Sequence, residues 1–124
     1  MRDKKILLID DEKNILLMIK NRLRAHGFDV ITASSGSEGL EKARKEAPDL
    51  IVLDVIMPNM DGFQACRKMK KSPELKDIPV IMLTSKDQKS DEFWGKKQGA
   101  DVYLTKPCED SILLKEITQR IGKG

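Results

Sequence analysis

Aromatic side chains are scarce in this sequence. One Trp, one Tyr and three Phe make up 4% of it, so any core must be built from aliphatic residues. Cysteine is equally sparse: Cys66 and Cys108 stand far apart without a metal-binding spacing, which argues against a thiolate zinc module and a disulfide-stapled scaffold. Each is expected as a reduced thiol filling a small gap in the core. Hydrophobic runs such as residues 6–9 and 50–53 stop after a few positions, against the ~20 that a helix needs to cross a bilayer, so no membrane span is expected. Nor does charge of one sign accumulate. The 23 basic and 20 acidic residues are interleaved and sum to +3, which leaves no basic stripe for a nucleic acid backbone. The first residues, Arg2, Asp3, Lys4 and Lys5, give way to only four apolar positions before Asp10. That is too little for a secretory h-region, and a cytoplasmic address is expected.

What is present fits one soluble domain. The 124 residues match the size of a single core, and 40% hydrophobic with 35% charged residues suits a small core under a well-solvated surface. Residues 1–124 are therefore read as one domain. A short apolar run followed by a longer amphipathic stretch recurs five times. The runs are residues 6–9, 30–33, 50–53, 80–83 and 102–104, rich in Val, Ile and Leu without polar alternation, as strands covered on both faces of a parallel sheet read. Between them helical spacing returns, clearest in Ile15, Ile19 and Leu23 and in Leu113, Ile117 and Ile121. Gly27 and Gly99 stand where helices need a left-handed terminal residue, and Asp61 and Asp110 stand near helix starts. Strict alternation of strand and helix predicts a doubly wound α/β sandwich with a five-stranded parallel sheet and helices on both faces.

In such a sheet the strand ends share one edge, where ligands bind. The first strand ends in Asp10 and Asp11, the third in Asp54, the fourth in Thr84 and Ser85, the fifth in Thr105 and Lys106. Taken singly, Asp10 and Asp11 read as helix caps, Thr84 and Ser85 as turn formers, and Lys106 as a solvated charge. Asp54 is different, because Val55, Ile56 and Met57 continue the apolar stretch around it and an unpaired carboxylate there is costly. Close carboxylates repel by about 4 kcal/mol per pair at an effective dielectric near 20, so a cation is implied. With only oxygen donors and no His or Cys at these ends, the ion is a hard one, and few carboxylates favour Mg²⁺. A metal, a lysine and a threonine hydroxyl around one carboxylate make a site for phosphoryl oxygens, and aspartate is a known phosphoryl acceptor.

The segments IDDE, LDVIMPNMDG, LTS and LTKP, in this order and on these strands, resemble the response-regulator receiver domain, and the similarity runs over the whole chain. The resemblance implies a flavodoxin-like (βα)5 fold with strand order 2-1-3-4-5. It implies that Asp54 accepts a phosphoryl group from a histidine kinase, that Asp11, Asp54 and the Ile56 carbonyl ligate Mg²⁺ directly, and that Asp10 acts partly through water. Thr84, the Ser85 N–H and Lys106 would hold the phosphoryl oxygens. The Lys106–Pro107 bond matches a cis peptide of the family, and Pro58 and Gly62 match the loop after the acceptor. Tyr103 matches an aromatic that moves with Thr84 to alter the face made by the fourth helix, fifth strand and fifth helix, through which a downstream effector protein is controlled. The protein is expected as a monomer or a weak phosphorylation-dependent dimer: a switch with self-catalysed phosphoryl transfer rather than a turnover enzyme.

Two positions depart from the chemotaxis pattern: Ile56 and Lys86, expected to slow loss of phosphate. Between Thr84 and Pro107, the segments KDQ, FWGKKQGA and YLTKP also resemble single-domain regulators of type IV pilus chemosensory systems. Trp94 there reads either as a cover for the core or as a partner contact. Three rivals stand beside this reading: the receiver part of a longer DNA-binding regulator, a small aspartate-dependent phosphohydrolase, and a flavin carrier. The last lacks a phosphate-cradling loop after the first strand, where acids stand instead.

Overall fold

The computed structural model describes residues 3–123. Its elements alternate without exception: β1 (Lys5–Ile9), α1 (Lys13–Ala25), β2 (Asp29–Ala33), α2 (Gly36–Glu46), β3 (Leu50–Leu53), α3 (Gly62–Lys71), β4 (Val80–Thr84), α4 (Lys89–Lys97), β5 (Val102–Thr105) and α5 (Asp110–Ile121). All five strands are parallel, in the order β2-β1-β3-β4-β5. Each of the five short apolar runs named above is a strand, and four of the five run one residue further at one end.

Because side chains alternate across a strand, each strand feeds two cores. Leu7, Ile9, Ile51, Leu53, Val80, Met82 and Tyr103 pack on the side of α2 and α3. Ile6, Leu8, Leu50, Val52, Ile81, Leu83 and Val102 pack on the side of α1 and α5. The aliphatic bulk that replaces aromatics is thus divided between two faces. On α1 the buried stripe is Leu16, Ile19 and Leu23, with Ile15 at its margin; on α5 it is Leu113 and Ile117, with Ile121 half-buried at the helix end.

Helix ends follow local chemistry. Asp61 caps α3 through a reciprocal pair: its carboxylate accepts from the Gln64 N–H at 2.9 Å, and Gln64 Oε1 accepts from the Asp61 N–H at 3.0 Å. Gly27 and Gly99 adopt φ of 90° and 109°, which side chains with a Cβ rarely tolerate. Asp110 lies inside the first turn of α5, with Glu109 at the cap. α2 ends on a left-handed alanine, Ala47 at φ 47°, where Pro48 immediately stops the helix. The thiols also differ from one another. Cys66 is fully buried, as expected of a core filler, but Cys108 is only half-buried because it lies in the loop before α5 rather than on an element.

Candidate functional site

Register decides which strand ends meet. Ile9 pairs with Leu53 across β1 and β3, so the next residues, Asp10 and Asp54, leave the sheet side by side. The Asp54 N–H donates to the Ile9 carbonyl at 3.0 Å and the Asp10 N–H to the Ala33 carbonyl at 3.1 Å, which carries the ladder to the edge of the site. On the other side Thr84 pairs with Thr105, and the Lys106 N–H donates to the Thr84 carbonyl at 2.8 Å. Lys106 therefore leaves β5 two strands away from Asp54 and three from Asp10, about 10 and 14 Å at ordinary strand spacing. Its long stem closes that gap.

The Lys106 ammonium donates to Asp10 Oδ2 at 2.7 Å and to Asp54 Oδ2 at 3.4 Å. The second oxygen of each carboxylate faces backbone: Asp10 Oδ1 accepts from the Glu12 N–H at 2.9 Å and Asp54 Oδ1 from the Ile56 N–H at 3.3 Å. Asp10 thus holds the Glu12 N–H in a local turn, but Glu12 is the cap residue of α1 and no side chain caps the helix, so Asp10 and Asp11 do not act as the helix caps they could be read as singly. The Asp10 and Asp54 side chains are buried, Asp54 keeping 8% of its side-chain surface open to solvent, enough for a narrow approach. Asp11 is exposed beside them.

Two carboxylates compete here for one ammonium. Burial raises the Asp10 carboxyl above the usual carboxylate range, against the opposing effect of its hydrogen bonds to Lys106 and Glu12, and the charge of Asp54 raises it further. Burial works against the charged form of Lys106, but the hydrogen bond to Asp10 and the charges of Asp54 and Asp10 outweigh it and hold the ammonium above the ordinary lysine value. The lysine stays positive, while the shared negative charge is incompletely neutralised.

That imbalance is what a cation relieves. One carboxylate oxygen each from Asp10, Asp11 and Asp54 lie within 4.8 Å of one another, and the donors are hard oxygens, the set that suits Mg²⁺. Among the described residues this is the one such acidic, His or Cys group.

Of the remaining predicted residues, Thr84 is fully buried and its Oγ1 accepts from the Lys86 N–H at 3.4 Å. Ser85 is exposed at the end of β4. The Lys106–Pro107 bond is cis. Gly62 is needed for a close approach: a Cβ there would fall against the Asp54 carbonyl and within 2.6 Å of the Val55 Cα. Tyr103 points into the sheet side of α4, and its hydroxyl donates to the Lys86 carbonyl at 2.7 Å. A Cβ on Gly95 of α4 would stand 2.8 Å from the Tyr103 ring, so the small residue makes room for the aromatic. Burial raises the phenol to about 12, helped by Asp91 and Glu92. The link from Tyr103 to the loop after Thr84 was not legible in the sequence, since a backbone acceptor leaves no residue signature.

Around this face the apolar side chains are not covered. Trp94 is 52% and Phe93 62% exposed on α4, and Ile112 is exposed on α5. The indole therefore does not cover the core. Ile56 stands 50% exposed beside Asp54, while its neighbours Val55 and Met57 are buried.

Residues 6–118 match the model of the response regulator receiver domain. Protein PilH of Pseudomonas aeruginosa is 44% identical over 113 residues, which cover 91% of this chain and 93% of that protein. The alkaline phosphatase synthesis transcriptional regulatory protein PhoP of Bacillus subtilis is 47% identical over 105 residues, 85% of this chain but only 43% of that protein. Among solved structures, the chemotaxis protein CheY4 of Vibrio cholerae superposes with a TM-score of 0.91 at 34% identity, covering 97% of this chain and all of that one (100%).

Proposed function

Because this chain belongs to the response regulator receiver family of two-component signalling, we propose that Asp54 is its phosphoryl acceptor and that residues 1–124 work as one Mg²⁺-dependent switch. The observation that carries this reading is the approach of Asp54 to Lys106 and to the oxygens of Asp10 and Asp11 at one edge of the sheet. In the transfer, an Asp54 carboxylate oxygen attacks the phosphorus of a kinase phosphohistidine. The O–P bond forms as the P–N bond breaks, and the imidazole leaves with its electron pair.

Each residue has a part that its position supports. Lys106, held charged, attracts the incoming phosphoryl oxygens and then pairs with one of them. The Ile56 N–H at Asp54 Oδ1 orients the carboxylate, so that one oxygen is presented to the phosphorus. Thr84 and the Ser85 N–H would supply further donors, and Asp11, Asp54 and the carbonyl of Ile56 would hold the Mg²⁺, with Asp10 acting through water. A bound Mg²⁺ would neutralise the developing negative charge on the phosphoryl oxygens.

The charge gained, roughly −1.5 to −2, biases the pair Thr84 and Tyr103 toward the arrangement that contacts phosphate better. The face of α4, β5 and α5 then controls a downstream effector, and the exposed Trp94 and Phe93 give that face its contact area. A histidine kinase supplies the phosphoryl group to this protein in the cytoplasm. The likeness to the Vibrio chemotaxis protein, together with the segment between Thr84 and Pro107, supports a place in a chemotaxis or pilus-motility pathway.

A direct test is incubation with Mg²⁺ and acetyl phosphate followed by intact-mass measurement. Wild type should gain one phosphoryl group, and Asp54→Asn none; a gain in the variant removes Asp54 from the role. A second reading, in which this chain is the receiver portion of a longer DNA-binding regulator, is favoured by its identity to the Bacillus transcriptional regulator, and coding sequence beyond residue 124 would decide it.

A further inference from the structure

Helix C-termini in a parallel sandwich face the edge where the strands begin, opposite the edge that carries Asp54. There α2 and α3 lie against one another. The last turn of α2 carries Arg44 and Lys45, and that of α3 carries Lys68, Lys70 and Lys71. Lys70 is engaged, donating to the Ile78 carbonyl at 2.9 Å and to Asp101 at 3.4 Å. Arg44, Lys45, Lys68 and Lys71 are exposed, and among the described residues none has a carboxylate within 4 Å.

The helix dipole explains a basic residue at each C-terminus. It does not explain their convergence. Two shallow hollows adjoin along α2 to make a furrow: Leu40 and Arg44 line both, Lys68, Lys71 and Glu74 line the one toward α3, and Glu41, Lys45 and the half-buried Met60 line the other. Four cations without an ion pair, against the two carboxylates of Glu41 and Glu74, leave a net positive field that water and salt screen only in part within a Debye length of about 10 Å.

We propose that this furrow docks an acidic amphipathic segment of a partner protein, its carboxylates on Arg44, Lys68 and Lys71 and an apolar side chain over Leu40 and Met60. Charge complementarity selects the occupant. Glu41 and Glu74 also line the furrow, so a uniformly anionic bilayer or nucleic acid backbone meets repulsion there, whereas a polypeptide can set its acids opposite the cations and away from these two. The furrow's basic end, Arg44 with Lys68 and Lys71, lies at the C-termini of α2 and α3 on the edge opposite Asp54, while Met60 belongs to the loop after the acceptor; a segment held on those cations leaves the acceptor open. The furrow serves as a tether whose occupancy does not depend on phosphorylation.

The test is fluorescence anisotropy with a labelled peptide carrying Glu and Leu at helical spacing, against a peptide of equal charge with Ser for Leu. Wild type is compared with Arg44→Glu/Lys68→Glu/Lys71→Glu, with the milder triple Gln variant, and with Lys20→Glu/Arg24→Glu on α1 as a control whose change in net charge lies between those of the two furrow variants. The Glu/Leu peptide should bind wild type and the α1 variant alike, about tenfold more weakly to either furrow variant, and more weakly as salt rises. Binding should be the same with and without acetyl phosphate, and both furrow variants should still be phosphorylated. Unchanged binding by the furrow variants, equal binding of the Ser peptide, or tighter binding of phosphatidylglycerol vesicles or duplex DNA would overturn the proposal.

Discussion

Lys106 donates to Asp10 at 2.7 Å, the shortest ion pair among the described residues. The lysine of the site is thus anchored first to the neighbour of the acceptor and only secondarily to the acceptor itself.

A double-mutant cycle reads that anchoring. Lys106→Met and Asp10→Asn should couple by about 1–3 kcal/mol in urea unfolding, the range for a partly desolvated charged hydrogen bond. Strictly additive effects would mean that the pair contributes no stability in solution.

Tyr103 is the only tyrosine of the chain, so absorbance near 295 nm reports it alone. Its phenol titrates near 12 in the folded protein and near its ordinary value of about 10 when unfolded. Because the folded value is the higher one, the stabilisation is full below about pH 10 and is lost as pH climbs toward 12, where the unfolded chain has already released its proton. Tyr103→Phe should remove this alkaline slope and with it the bond to the Lys86 carbonyl. A native midpoint near 10 would contradict the buried, hydrogen-bonded phenol.

Gly62→Ala should destabilise by about 1–3 kcal/mol, as overpacking against rigid backbone does, since the new methyl meets the Asp54 carbonyl and the Val55 Cα. The same shift displaces the acceptor, so phosphorylation by acetyl phosphate should slow in step with the fall in melting temperature. A variant as stable as wild type would show that the loop yields freely.

Hydrolysis of the phosphoryl group needs a water placed in line, and the half-exposed Ile56 beside Asp54 offers that water no partner. Lys86 lies at the same rim and pairs with Asp91 at 3.8 Å. Ile56→Asn combined with Lys86→Glu should hasten dephosphorylation by about tenfold, equivalent to roughly 1.4 kcal/mol of barrier. An unchanged decay of the phosphorylated protein would remove both residues from the control of its lifetime.

Strand positions were readable because a strand covered on both faces needs an unbroken apolar run, a purely local property. Trp94, however, was readable in two ways, and its half-open indole shows that a lone aromatic at a helical position does not reveal which side of the helix it takes. Cys108 was misread for a related reason: nothing local separates a loop thiol from a core one.

The sequence by itself determined the number of strands, their parallel arrangement and the polar residues at their ends, because these follow from period and alternation within short windows. Folding alone decided that Lys106 spans past two strands to Asp10, that Tyr103 bonds a backbone carbonyl, and that Arg44, Lys68 and Lys71 converge from two helices on one furrow. Such meetings depend on register, stem length and helix packing, which act between segments distant along the chain and leave no mark in any one of them.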